Sequence, residues 1–230
     1  MATKKVRVKV KKRRLKVKNI LIFLLVLLIL YTGIIHILGL PIKNIYVSGN
    51  SILSDNEIIN IAKIEDYPPF LDTITNNISK LLKKNDYIKN VKIKRTLSRK
   101  IYITITEYRP LFIIKDQNKV ILENGKKIDN DHNISNVPIL LNNVTDDIYD
   151  RFIQKFSKVD NQILLKISEI EYVPLEVDSE RFALYMNDDI LVYITLSKID
   201  NLNKYIEIHS QLDGKKGILY LDSGNYFEER

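Results

Sequence analysis

Side chains able to do acid–base, nucleophilic or metal chemistry are few in this sequence of 230 residues. There is no cysteine, which removes thiol nucleophiles, Cys-ligated zinc, iron–sulfur clusters and disulfide frameworks together. The 3 histidines are His36, His132 and His209, too few for a His-rich metal site. His36 falls in an apolar run. His132 lies in Asp129-Asn130-Asp131-His132-Asn133, whose composition reads as a solvated turn rather than a weak cation site. His209 falls near a predicted helix end, where a cation is favoured. Asp188-Asp189 sit between two predicted strands and read as hairpin residues; glycosyl transfer would need two carboxylates converging in a cleft. The sequence has no G-x-S-x-G, no H-E-x-x-H, no phosphate-binding glycine loop and no dinucleotide fingerprint. It therefore offers no catalytic constellation, no cofactor site and no metal site.

The elements that remain to be explained begin with a basic tail. Residues 1–19 hold ten Lys or Arg and no acid, so the rest of the chain carries 36 − 10 = 26 basic against 28 acidic residues. The formal charge of +8 belongs to the tail. Residues 20–40, ILIFLLVLLILYTGIIHILGL, follow with no formal charge. A helix of that length spans about 30 Å, the hydrocarbon thickness of a bilayer. A buried core helix fits poorly, because the run is apolar on every face. A cleaved signal peptide fits poorly too, because the run is long and ends without a small-x-small site. The reading is an uncleaved signal anchor. The tail sets its orientation and can grip anionic lipid; nucleic-acid binding is the least supported use, since no folded domain presents it.

Beyond the span, residues 43–47 alternate as a strand, and Ser48-Gly49-Asn50-Ser51 form a turn in which Gly49 supplies a positive φ and Asn50 closes it. Ser54-Asp55-Asn56-Glu57 is a capping box opening a short helix. Tyr67-Pro68-Pro69 breaks the chain, a second helix fits residues 72–84 with Ile74, Ile78, Leu81 and Leu82 inward, and residues 88–95 and 101–108 form a hairpin. Ile45, Val47, Ile58, Leu81, Val91, Ile93 and Ile103 are core candidates. From residue 110 the pattern becomes β-rich. Strands fit 111–114, 120–122, 168–172, 181–186 and 190–195, and Glu123-Asn124-Gly125-Lys126 makes a hairpin turn. A helix fits 146–159 behind Thr145, and another follows a Ser197 cap with Ile199, Leu202, Tyr205 and Ile206. The expected divisions are a basic tail at 1–19, a span at 20–40, a β-α-α-β-β domain at 41–109, a β domain at 110–222 and a short tail at 223–230.

The run Ile42-Lys43-Asn44-Ile45-Tyr46-Val47-Ser48-Gly49-Asn50 with Leu53-Ser54 and Glu57-Ile58 resembles the opening of a POTRA domain. Residues 88–95 and 101–110, ending Thr106-Glu107-Tyr108-Arg109-Pro110, resemble the closing hairpin of the FtsQ/DivIB family of bacterial division proteins. Thr96-Leu97-Ser98 stands where that family usually has a proline. The resemblance implies an α+β fold: one transmembrane helix, a POTRA-like β-α-α-β-β domain and a second β-rich domain with helices. It implies a non-enzymatic scaffold at the division septum that recruits FtsB/DivIC-like and FtsL-like single-span partners and the septal peptidoglycan synthase machinery. A membrane-anchored envelope enzyme and a POTRA-type chaperone for exported proteins are the alternatives.

Two surfaces are expected to carry function. Residues 218–222 read as a final strand at a sheet edge, with Ile218, Leu219, Tyr220, Leu221 and Asp222 as docking residues and Tyr226 and Phe227 closing over the partner; the resemblance implies that the FtsB/DivIC-like partner docks there. Residues 80–100 hold nine basic residues against one acid, Asp86, whereas from Arg109 onward there are 15 basic and 21 acidic residues. Lys83, Lys84 and Lys89 are the expected contacts to anionic lipid or wall polymer.

Topology is directly testable. The segment before the span has ten cations, and the 20 residues after it have one, Lys43. A reporter fused after residue 40 should be active only outside the cytoplasm. A cytoplasm-only reporter that works at the C-terminus contradicts the orientation.

Overall fold

The computed structural model describes residues 16–230. Most of the basic tail therefore lies outside the described residues. Helix α1 (Val17–Gly39) is predominantly apolar after Lys18 and Asn19 in its first turn, and its window Val17–His36 is the one described segment long and apolar enough to cross a membrane.

The first outer unit follows the expected order: β1 (Asn44–Ser48), α2 (Asp55–Ile61), α3 (Thr75–Leu82), β2 (Ile88–Arg95) and β3 (Lys100–Glu107). Its sheet runs β1-β3-β2, with β1 parallel to β3 and β2 antiparallel. Alternation puts Ile101, Ile103 and Ile105 of β3 inward against Ile58, Ile78 and Leu82 of the two helices. The capping box is present as expected: the Glu57 amide donates to Ser54 Oγ, and the Ser54 amide donates to Glu57 Oε2 at 2.7 Å. Gly49 has φ +84°, and a Cβ there would collide with the Ile105 carbonyl, so the turn requires glycine. Asn50 closes it, donating from Nδ2 to the Leu53 carbonyl at 2.8 Å and to Asp55 Oδ1 at 2.9 Å.

Some local expectations shift. Helix α3 starts at Thr75, leaving Ile74 exposed at its N-cap position, and Leu81 is only half-buried while Leu82 is the core residue. In the proline-free turn it is Arg99 that takes a left-handed conformation, at φ 60°.

The second unit contributes nine strands to one sheet: β4 (Pro110–Ile114), β5 (Lys119–Leu122), β6 (Lys127–Asp129), β7 (Ile139–Leu140), β8 (Ile167–Tyr172), β9 (Arg181–Met186), β10 (Ile190–Thr195), β11 (Gly217–Tyr220) and β12 (Tyr226–Glu229). They are ordered β12-β11-β10-β9-β8-β7-β4-β5-β6. Helix α4 (Asp146–Phe156) lays Ile148, Phe152, Ile153 and Phe156 on this sheet. Its Phe152 ring stacks on Phe182 of β9, 4.4 Å between centroids. Thr145 occupies the N-cap position but makes no side-chain cap bond, and the helix ends three residues before Val159. A short α5 (Asn161–Leu164) follows. Ser197 is not a cap: it lies inside a 3-10 helix, Leu196–Lys204, that leads into α6 (Tyr205–Ser210), and Ile206 points to solvent.

Three strands lie outside the sequence expectation, and one of them is the two-residue β7. β6 takes up Asp129 from the supposed polar loop. β12 pairs antiparallel with β11, so residues 218–222 are not the edge of the sheet: β11 is an inner strand, Leu221 and Asp222 belong to the turn after it, and β12 is the edge.

The units share a wall. Val120 and Leu122 of β5, with Ile134, join the core of the first unit, while Ile121 joins the core of the second. Period-two alternation thus sends adjacent side chains of one strand into two different cores. Leu122→Ala should cost about 2–5 kcal/mol, the usual range for a truncated core leucine. Because that side chain serves the junction, thermal unfolding followed by probes in both units should stay one shared transition at a lower temperature. Separate transitions for the two units, with only one of them moved, would contradict the shared wall.

Candidate functional site

The expected docking residues gather at the end of the nine-stranded sheet. β11 runs parallel to β10, and β12 closes antiparallel on it. Gly217 makes the close approach possible, because a Cβ there would collide with the Glu228 carbonyl and lie 2.9 Å from the Phe227 ring. Tyr193, Tyr220 and Tyr226 are directly opposite one another across β10, β11 and β12. Their rings form a ladder, 5.6 Å between centroids for the first pair and 4.5 Å, nearly parallel, for the second. Arg181 caps its inner end, with the guanidinium 3.6 Å from the Tyr193 ring centroid. Tyr220 adds a hydroxyl bond to Glu228 at 3.2 Å. Tyr226 is half exposed at the outer end of the ladder.

The opposite face is different. Phe227 packs on the core beside Leu219 and Leu221. These three side chains, with Asn201, Lys204 and Ile208, line a groove of about 240 Å³ between the helices and the edge strand. Ile218 is buried.

Asp222 is an anchor rather than an exposed docking residue. Its carboxylate accepts from Arg181 Nε at 2.7 Å, and both side chains are largely buried, 8% and 13% exposed. Its backbone carbonyl accepts from Lys198 Nζ at 2.6 Å. Burial alone would raise the Asp222 pKa, but the Arg181 and Ser223 hydrogen bonds outweigh it and hold the carboxyl below its usual range.

The basic side chains sit elsewhere. β2 runs antiparallel to β3, so Lys89 lies at the end of the first unit next to the second unit, where it pairs with Glu123 at 2.8 Å. Asp86 pairs there with Lys126 at 2.6 Å. Lys83 and Lys84 follow α3 at this same end, and both are exposed. Arg95 is half-buried over the Phe70 ring, 4.0 Å from its centroid.

Three long-range contacts had no signal in sequence. Glu107 accepts hydrogen bonds from the amides of Ser51 and Ile52 at 2.8 Å and of Leu53 at 2.9 Å, fixing the loop before α2. Arg109 donates to the carbonyls of Ser157 at 2.7 Å and Val159 at 2.9 Å, satisfying the end of α4. His132 is not in a solvated turn: it is half-buried edge-on to Tyr87, with Nε2 3.1 Å from Glu57 Oε1.

One cluster has the composition of a catalytic set. Asp188 accepts from the Tyr205 hydroxyl at 2.6 Å and has His209 Nε2 at 3.2 Å. Tyr205 has no exposed surface, and burial followed by the Asp188 bond pushes its hydroxyl pKa far up. The cluster ties α6 to the β9–β10 turn. Among the described residues no three of His, Cys, Asp and Glu group as a metal site.

An N-terminal apolar helix, a β-α-α-β-β unit and a long mixed sheet together define an α+β protein of the POTRA type. Residues 40–108 match the family described as POTRA domain, FtsQ-type. The chain is 32% identical over 226 residues to cell division protein DivIB of Bacillus subtilis strain 168, covering 94% of this chain and 84% of that one. It is 28% identical to DivIB of Geobacillus kaustophilus over 89% and 80% of the two chains. The solved extracytoplasmic domain of DivIB from Geobacillus stearothermophilus is 26% identical, covering 47% of this chain and 96% of that one at a TM-score of 0.39. The chain belongs to the DivIB family of bacterial cell division proteins.

Asp222→Asn should destabilise the protein by about 3–5 kcal/mol at neutral pH, because it leaves the Arg181 charge buried without its partner. The pH dependence has a definite sign. A carboxyl whose folded pKa is lowered contributes stability above its unfolded pKa and loses it as pH falls through the folded value. The difference between parent and variant should therefore hold above about pH 5 and shrink below about pH 4. A difference that is flat across that window, measured by denaturant unfolding, contradicts the assignment.

Proposed function

We propose that this protein is a non-catalytic, single-pass scaffold of the division machinery that captures a partner by adding the partner's strand to β12. The basic tail is cytoplasmic, the two outer units are extracytoplasmic, and the molecule acts at the division septum. The partner is a DivIC/FtsB-like single-span protein, held together with an FtsL-like one, and the assembly serves the septal peptidoglycan synthase machinery. The observation that carries this reading is the sheet order, which leaves β12 with a strand on one side only. Strand addition draws affinity from main-chain hydrogen bonds and specificity from alternate side chains. Here Tyr226 offers an aromatic surface on one face, and the groove beside Phe227 offers a slot on the other. Glu228 favours a partner segment that carries a cation, while Glu229 is already paired with Lys215 at 2.8 Å.

The inner position of β11 changes how this is tested. Removing residues 224–230 would strip β12 and uncover Leu219, so binding lost that way would say little. Point changes are cleaner. Tyr226→Asp and Glu228→Lys should each weaken binding of the DivIC/FtsB-like partner to the full chain about tenfold or more, a loss of about 1.4 kcal/mol or greater, with unchanged amide exchange at residues 217–220 of the free variants showing that β12 still pairs with β11 despite the lost Tyr220 contacts. Lys127→Asp on β6, at the opposite edge of the same sheet, should leave binding unchanged. If the β6 change weakens binding and the two β12 changes do not, the docking edge is the other one.

A further inference from the structure

The end of the membrane helix is fastened to the first outer unit rather than joined by a free linker. The Phe70 amide donates to the Leu40 carbonyl at 3.0 Å, and the Ile42 amide to the Pro68 carbonyl at 3.1 Å. The Lys43 amide donates to the Arg99 carbonyl at 2.8 Å, and Arg99 Nη1 to the Pro41 carbonyl at 3.0 Å. Arg95 reaches the Phe70 carbonyl as well. The loop 67–71 and the turn 96–99 therefore flank the point where the chain leaves the apolar run.

Both flanking segments carry large apolar side chains that no packing within the chain explains. Leu97 stands in a four-residue turn with 86% of its surface exposed. Tyr67 and Leu71 are about half exposed, as is Ile74 three residues further on. Leu71 adjoins Phe70, which is itself bonded to Leu40, so these side chains belong at the depth where the span ends. Lys43, Lys94, Arg95, Arg99 and Lys100 share this end of the sheet, and the acidic Glu65, Asp66 and Asp72 flank the loop 67–71 in sequence. Charge of both signs is present, and the exposed apolar tips are what distinguish this end.

We propose that Tyr67, Leu71 and Leu97 insert into the boundary between headgroups and acyl chains, seating the first outer unit directly on the bilayer. Apolar and aromatic tips prefer that depth, and the long stems of Arg99 and Lys100 can lie along it with their charges in the headgroups. The seating displaces Lys83, Lys84 and Lys89 from any lipid contact. From Arg95 to Lys89 the strand rises six residues, about 20 Å, which is more than twice the screening length at physiological salt. Lys89 pairs with Glu123 of the second unit instead, and Lys83 and Lys84 are exposed at that same end. The inference rests on reading α1 as a membrane span and is independent of docking on β12.

The absence of native cysteine makes single-site labelling direct. Nitroxides on Leu71→Cys, Leu97→Cys, Lys84→Cys and Tyr31→Cys, each in the full chain, are compared in phosphatidylcholine–phosphatidylglycerol vesicles. Collisions with oxygen, which concentrates in acyl chains, are measured against collisions with a water-soluble nickel chelate. The expected result is a several-fold higher oxygen-to-nickel ratio at positions 71 and 97 than at 84, approaching that at 31. Equal ratios at 71, 97 and 84, with 31 lipid-exposed, overturn the seating while leaving the span intact. Labels at 71 and 97 shielded from both reagents also overturn it, because protein then covers them. A water-exposed label at 31 removes the span reading and the seating with it.

Discussion

The rest of the structure depends on the burial of β5 on both faces. Its four residues are Lys119, Val120, Ile121 and Leu122, and the last three are inaccessible to solvent. Val120 and Leu122 complete the core of the first outer unit, and Ile121 belongs to the core of the second. Neither core is closed without this strand. The hydrophobic stabilisation of each unit therefore includes the other, at roughly 25 cal/mol for each Å² of apolar surface withheld from water. Polar contacts then fix the orientation. Glu123 follows β5 directly and accepts from Lys89 of β2, and Arg109 carries the chain across while capping the end of α4. The POTRA match ends at residue 108, and beyond it β5 packs side chains into both cores.

This construction has a mechanical consequence. The segment after the membrane helix is bonded to the first unit, the first unit shares a wall with the second, and the second is one continuous sheet from β6 to β12. An element held at the membrane end is thus connected to the far edge strand through hydrogen-bonded ladders and two apolar cores, with no structureless linker between them. A scaffold that must hold single-span partners in register with its own span benefits from such continuity, since ordering a flexible tether would cost entropy on every binding event. The edge itself is guarded against promiscuous pairing. β12 is four residues long and ends in two glutamates, both features that disfavour edge-to-edge aggregation. The tyrosine ladder and the buried Arg181–Asp222 pair hold it in place from behind.

Much of this was legible in sequence because the signals are local. The Ser54–Glu57 capping box, the Gly49 turn and the alternation of Ile101, Ile103 and Ile105 each depend on residues within a few positions of one another. The hairpin of β9 and β10 was equally plain. β12 was not: Tyr226-Phe227-Glu228-Glu229 places two aromatics and then two acids side by side, so it shows no period of two. The helix expected behind Ser197, carrying Ile199, Leu202, Tyr205 and Ile206, is a 3-10 helix as far as Lys204, because a three-residue spacing such as that of Ile199 and Leu202 serves both helix types. Contacts between distant residues left no trace at all. Glu107 with residues 51–53 and His132 with Glu57 join positions more than fifty apart, and residue type alone does not announce such pairs. Asp222 was expected to face a partner for the same reason: its burial against Arg181 is a fact of topology, not of pattern.

The central claim is that β12 receives a partner strand. Hydrogen exchange on the full chain, with and without the DivIC/FtsB-like partner, tests it most directly, because added main-chain hydrogen bonds protect amides irrespective of side chains. The account predicts that amides of residues 226–229 gain protection on binding, while those of residues 127–129 at the opposite edge do not change. Partner binding that leaves exchange at residues 226–229 unaltered would contradict it.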